Sequence, residues 1–328
     1  MLPRIDLIDD LVRANARRWR EHAGVPVWAV VKAGGYGWGA ARIVRAAESE
    51  VEGFFVADAD EAREIRRITS RPIALLAASG PQETVDLLRD GIIPHVASLD
   101  ALAAADQWAR ERGAPARIRV GVVPAAGWSG LLEEAIDPFA RAAGAARVEI
   151  ELWTHLTAPE LWQPQRERFE AAKRRFLEAG ATIAGSDVAS TFSTAREPRS
   201  AESRVRIGIG LFGASMGGPR LECAIRIDAR VTDVLPSHAV ASTGYRAAER
   251  IPAPWLAVVR CGYSDGLPSR LAGTGDILSI GMQYAVLARN GPETVGRTVR
   301  LLDNSNDLSM LLENTGISPH EFVVGLGR

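Results

Sequence analysis

"VPVWAVVKAGGYGWGAARIVRAA", residues 25–47, holds one complete structural unit of this chain. An unbroken apolar run ends on Lys32, and a glycine-rich connection follows. Beyond it, in "AARIVRAAESEV", apolar residues recur three and four apart, the period of an amphipathic helix. A run without polar interruption suits a parallel strand covered on both faces. The same unit then repeats. From residue 27 to about 213, further runs stand at "GFFVADA", "PIALLAAS", "IIPHVAS", "RIRVGVV", "VEIELWTHL", "ATIAGSDVAS" and "RIGIGLFG", eight in all. Helical patterns such as "DEAREIRRITS", "PQETVDLLRDG" and "LDALAAADQWARERG" separate them, and many end in glycine. Eight evenly spaced βα units predict a (β/α)8 barrel. A doubly wound open sheet is the alternative built from the same elements.

After about residue 220 the period changes. "CAIRIDARVTDVLP", "PWLAVVRCGY", "DILSIGMQYAVLARN" and "TVGRTVRLLD" alternate apolar with polar, as antiparallel strands with one buried face do. Gly and Pro cluster in "GASMGGPRLE", which marks the junction. The expected division is an α/β barrel over residues 1–221 and a mainly β domain over 222–328.

A chain of 328 residues can bury two cores, and its net charge of −1 gives no reason to expect nucleic acid or a membrane surface as partner. The basic stretches "ARRWR" and "REIRR" sit in helical patterns and read as solvated faces. The two cysteines, Cys223 and Cys261, form no CxxC pair, so neither a disulfide framework nor a metal site is expected. The N-terminus lacks a signal-peptide core, and no apolar run approaches the roughly 20 residues of a membrane span. A reducing, cytoplasmic setting is the expectation.

Of the 39 basic residues only two are lysines, Lys32 and Lys173. A lysine kept at the end of an apolar strand points to an amine that can lose its proton, which arginine cannot supply. Desolvation disfavours its ammonium, and the neutral amine can add to a carbonyl. The other reading is a lysine snorkelling from the barrel mouth. Further polar groups fall at strand ends, where a parallel barrel places its chemistry: His155, Ser186, Asp187 and the "GIG" of residues 208–210, with Arg206 just before. Tyr36 offers a hydroxyl to an anion.

"VVKAGGYGWG" resembles the cofactor-lysine motif of the alanine racemases, fold-type III enzymes that use pyridoxal 5′-phosphate. "WTHLTAPE", "RVRIGIGLFGAS" and "AVVRCGYSDGLPSRL" resemble further motifs of that family in the same order, and "SIGMQYAVL" is a weaker echo. The resemblance implies a barrel followed by a β domain, and a homodimer with shared active sites. It implies that Lys32 binds the cofactor as a Schiff base and is one of two catalytic bases. Tyr36, Ser186 and the backbone of Gly208 and Ile209 would bind the phosphate. Arg206 would face the pyridine nitrogen, with His155 behind it. Tyr263, reaching in from the partner subunit, would be the second base. A Cα proton is then lost from one face of an amino substrate and returned to the other.

The chain departs from the family around the substrate. After the fifth strand "RIRVGVVPAAGWSGLLEE" lacks the arginine that pairs with the substrate carboxylate, and Trp128 or a neighbour stands in its place. His320 replaces a tyrosine, Trp38 replaces a histidine, and Gln283 follows the retained Met282 in place of an aspartate. Trp128, Met282 and His320 are therefore the candidate substrate-pocket residues. Three functions suit this pattern: a diverged racemase; a pyridoxal-phosphate decarboxylase or other enzyme on a substrate without a normal free carboxylate; or a cofactor-binding protein without turnover. A barrel hydrolase or lyase using Lys32 as a bare amine is a fourth, of a different class.

Overall fold

The computed structural model describes residues 2–122, 129–198, 203–243, 251, 253–302 and 307–327. Its strands are β1 (Arg4–Leu7), β2 (Val27–Val30), β3 (Gly53–Val56), β4 (Ile73–Ala78), β5 (Ile93–His95), β6 (Ala116–Gly121), β7 (Val148–Trp153), β8 (Thr182–Asp187), β9 (Val205–Ile207), β10 (Ile225–Pro236), β11 (Trp255–Val259), β12 (Ile277–Ile280), β13 (Ala285–Arg289) and β14 (Thr298–Leu302). Its helices are α1 (Asp9–Ala23), α2 (Lys32–Tyr36), α3 (Ala40–Ala47), α4 (Ala59–Arg66), α5 (Pro81–Arg89), α6 (Leu99–Arg112), α7 (Glu133–Ala145), α8 (Trp162–Glu178), α9 (Thr191–Arg196), α10 (Leu308–Leu311) and α11 (Pro319–Leu326).

Strands β2 to β9 form one parallel sheet in the order β8-β7-β6-β5-β4-β3-β2-β9. Its two ends meet where Ser190 bridges Arg206, and Arg206 N–H donates to Ala189 O at 3.0 Å. The sheet therefore closes into a barrel, and the open-sheet alternative falls. The helices stop where local chemistry stops them. α1 carries Asp9 and Asp10 in its first turn and Arg20 in its last, matching the helix dipole. It ends on Gly24, whose φ of 65° a side chain would resist. α4 starts at Asp58, whose carboxylate accepts the N–H groups of Asp60 and Glu61.

Alternate residues of each strand face opposite sides, and the two sides differ sharply. Val27, Ala29 and Val31 pack outward against the helices, whereas Trp28 and Val30 share an inner cluster with Phe55, Ala74 and Ile93. That half of the barrel interior is apolar. The other half is ionic. Arg119, Glu151, Asp187, Arg204 and Arg206 are all at least 96% buried and pair with one another. The expectation of strands apolar on both faces thus fails for β6, β7 and β9. Their sequences R-I-R, E-I-E and R-V-R alternate charge with aliphatic at period two.

The other sheet is antiparallel, in the order β1-β10-β11-β13-β12 with β14 also on β10. β1 crosses the division expected at residue 221: it pairs with β10, and Leu7, which is buried, lies opposite Ile225. Four residues are too few to show a period, so the sequence pattern hides this strand. Asn15 of α1 ties the two parts together, donating to Glu222 O at 2.9 Å and Leu211 O at 3.2 Å. Cys223 and Cys261 are buried thiols, and burial pushes each up to about 12. Among the described residues no helix is long and apolar enough to cross a membrane.

Candidate active site

A cavity of about 690 Å³ opens at the C-terminal ends of the barrel strands. Lys32, Tyr36, His155, Arg206, Gly208 and His320 all line it. Lys32 stands two residues beyond β2 and begins a turn of the opposite hand to an ordinary helix. Ala33, Gly34, Gly35 and Tyr36 have φ of 56°, 61°, 66° and 59°. Left-handed backbone costs an L-residue ~1–2 kcal/mol, so two glycines here relieve part of the strain and Ala33 and Tyr36 bear the rest. Glu61 of α4 holds the turn: its carboxylate accepts Gly34 N–H at 2.9 Å and Ala57 N–H at 2.8 Å.

Tyr36 is buried against Phe212, and its ring lies 6.1 Å from that of His320. Burial pushes its phenol up, so it remains a donor. A Cβ at Gly208 would lie only 2.1 Å from the Tyr36 hydroxyl, so glycine leaves a notch there. Ser190 and Thr191 line the same side, and Gly208 N–H donates to Thr191 Oγ1 at 3.2 Å. His320 comes from the first turn of α11. Trp38 fixes that helix to the lysine turn by donating from Nε1 to Val323 O at 3.0 Å.

Arg206 faces these groups across the cavity. Its Nη1 donates to the Asp187 carboxylate and to Asp187 O. Its Nη2 reaches Thr154 O at 2.9 Å, and Val188 O and His155 Nδ1 at 3.2 Å each. Nδ1 of His155 therefore accepts, which makes the imidazole neutral. Burial, then the charges of Arg206, Lys32 and His320, lower its pKa to about 3. Burial and Lys32 also lower that of His320.

The remaining expected residues fall elsewhere. Ser186 does not line the cavity; its Oγ accepts from Lys173 Nζ at 3.4 Å on the helix side. Ser190, four residues on, lines the cavity instead. The "SDVAS" segment offers two serines, and strand length decides between them. Tyr263 and Met282 lie outside this cavity, side by side on the surface at 50% and 60% exposure. Ser264 N–H and Oγ–H both donate to Met282 O, which joins their two segments. Trp128 lies outside the described residues, while its neighbour Ser129 lines the cavity. Thr191 and Glu61 gave no motif of their own in the sequence.

The chain is similar to known proteins in sequence and in fold. The family model "Alanine racemase, N-terminal domain" matches residues 8–216. The chain is 32% identical over 295 residues to an alanine racemase of Beutenbergia cavernae, covering 81% of this chain and 76% of that one. A second, from Symbiobacterium thermophilum, is 30% identical over 295 residues, covering 84% and 78%. Among solved structures, an alanine racemase from a D-cycloserine-producing Streptomyces lavendulae superposes with a TM-score of 0.79 at 22% identity, covering 99% of this chain and 95% of that one. One from Bartonella henselae, solved with covalently bound pyridoxal phosphate, gives 0.78 at 22% identity, covering 100% and 98%.

Proposed function

Since the chain belongs to the alanine racemase family, we propose that it is a pyridoxal-phosphate-dependent, racemase-like isomerase acting at Cα of an amino substrate. One observation carries the reading. An amine (Lys32), a notch kept open by Gly208 beside the Tyr36 hydroxyl, and the guanidinium of Arg206 face one cavity. These fit the aldehyde, the phosphate and the ring nitrogen of the cofactor. When bound, the cofactor supplies a carbonyl that condenses with amines and a ring that spreads negative charge from Cα.

The chain's own residues supply the rest. Lys32 would hold the cofactor, and its amine would move a proton at one face of Cα. Tyr263 of the partner subunit moves it at the other, in a homodimer whose contact face includes the exposed Tyr263 and Met282. Tyr36, Ser190, Thr191 and the backbone of Gly208 and Ile209 receive the phosphate. Arg206 would donate to the ring nitrogen and so keep it unprotonated, with His155 bracing the guanidinium. The purified protein should take up pyridoxal phosphate, show a visible band, and lose it on borohydride treatment with mass added at Lys32. Incubation with amino acids in D2O should exchange the Cα hydrogen. A protein that takes up no cofactor, with Lys32 unmodified, refutes the proposal.

A second reading concerns the substrate. Residues 123–128, "VPAAGW", carry no ionisable side chain, and Arg206 commits both terminal nitrogens to protein acceptors. Neither provides a cation for a carboxylate. This favours a substrate whose carboxyl group is masked, as in an amide, or one that is decarboxylated. Faster Cα exchange with alaninamide than with alanine supports the masked substrate; release of CO2 supports the decarboxylase.

A further inference from the structure

We infer that Asp187 is a positioning residue for Arg206, with Arg119 as its anchor; this rests on the cavity being a cofactor site. Five N–H bonds radiate from a guanidinium in one plane. Four of those of Arg206 are directed at the protein, two from Nη1 to Asp187 and two from Nη2 to Thr154, Val188 and His155. Only Nε–H finds no acceptor among the described residues, and Arg206 lines the cavity. A ligand there meets one N–H in a fixed direction, which suits the in-plane lone pair of an aromatic ring nitrogen.

The direction is set from behind. Asp187 accepts Arg119 Nη1 at 2.7 Å and Arg119 Nη2 at 2.8 Å, a bidentate pair. Arg119 is fully buried, does not line the cavity, and sits 4.3 Å from the Phe55 ring centroid and 4.7 Å from that of Trp153. Its hydrogen bonds to the Arg206 clamp run through Asp187. The Asp187 carboxylate also opposes the charge of Arg206 in a site where water cannot. Remove the carboxylate, and Nη1 loses an acceptor while the guanidinium is free to turn about its Cδ–Nε and Nε–Cζ bonds. Nε–H then loses its aim.

The test compares Asp187→Asn, Arg119→Gln and the double variant. The guanidinium NMR signals of the cofactor-free protein are read first, Arg206 being assigned through Arg206→Lys. Separate Nη signals for Arg206 are expected in the parent, and averaged ones in Asp187→Asn. Pyridoxal phosphate is then added, and affinity and visible circular dichroism per bound cofactor are measured. Asp187→Asn should weaken binding about tenfold, the loss of one charged hydrogen bond, and more than halve the dichroism per bound cofactor. Arg119→Gln should act in the same direction by about two- to threefold, and the double variant should be no worse than Asp187→Asn alone. A folded Asp187→Asn protein with unchanged Arg206 signals and dichroism overturns the inference, as do additive effects. If Asp187→Asn does not fold, Arg119→Gln decides, and unchanged Arg206 signals in it overturn the inference. A parent protein that takes up no cofactor refutes the cofactor reading instead, and the cofactor-free signals still decide on the clamp.

Discussion

Two buried imidazoles should make this protein lose stability in mild acid. His95 sits inside the barrel, accepting Gly121 N–H at Nε2 and donating from Nδ1 to Leu76 O at 2.9 Å. Burial, with a further contribution from Arg119, lowers its pKa from 6.5 to about 4. His155 is lowered to about 3. A histidine with a depressed folded pKa stays neutral in the fold and is protonated first in the unfolded chain. The unfolded state therefore binds more protons below pH 6.5, and stability falls as pH falls. Between pH 7.5 and 5 each histidine contributes a loss of about 2 kcal/mol, about 4 kcal/mol together. Carboxylates with lowered pKa, such as Asp137 beside Arg175, also lose their contribution in acid, but below the unfolded carboxylate range and so below this window. Urea unfolding of the cofactor-free protein at several pH values measures the loss. The imidazole signals of only five histidines then assign it. His95→Asn, which keeps a donor for Leu76 O, should remove about 2 kcal/mol of the loss, with His320 adding its own share in the same direction. Stability that stays flat from pH 7.5 to 5, or imidazoles that titrate near 6.5, would refute the reasoning.

Other outcomes follow from single contacts. Gly208→Ala places a methyl 2.1 Å from the Tyr36 hydroxyl and should weaken pyridoxal phosphate binding at least tenfold, or about 1.4 kcal/mol, in a titration followed by absorbance. Glu61→Gln leaves Gly34 N–H and Ala57 N–H one amide oxygen to share, and should cost about 1–3 kcal/mol in urea unfolding. Tyr263→Phe should leave the visible band unchanged and remove most Cα exchange in D2O; unchanged exchange would exclude it as a base.

Much of the fold was legible because each barrel strand left its own mark. All eight apolar runs hold a strand, and the switch to antiparallel pairing follows the change of period after residue 220. β1 was not legible, because four residues carry no period and its partner lies more than 200 positions away. Of the cavity lining, Lys32, Tyr36, His155, Arg206, Gly208 and Ile209 could be picked out since each stands at or near a strand end. Ser186 could not be told from Ser190, because the bend after β8 settles which serine faces the cavity. Glu61 looks in sequence like any first-turn acid of a helix, and only the left-handed turn it meets sets it apart. The R-I-R, E-I-E and R-V-R alternation was readable, and it predicts a charged barrel interior once period two is counted.

That interior explains why the histidines carry so much of the electrostatics. The buried group holds three guanidiniums, of Arg119, Arg204 and Arg206, and two carboxylates, of Glu151 and Asp187. It has a surplus of one positive charge, and Lys32 stands above it at the cavity. Charges in such a site are weakly screened, so Arg206 acts on the imidazole of His155 beside it. His155 records it directly: after burial, the next contributions lowering its pKa come from Arg206, Lys32 and His320. An anion entering the cavity opposes that field, so both His155 and His320 should bind protons more readily with a phosphate-bearing ligand in place. The positive charges that add to burial in lowering both imidazoles would also attract a phosphate, so that part of the two effects shares one physical cause.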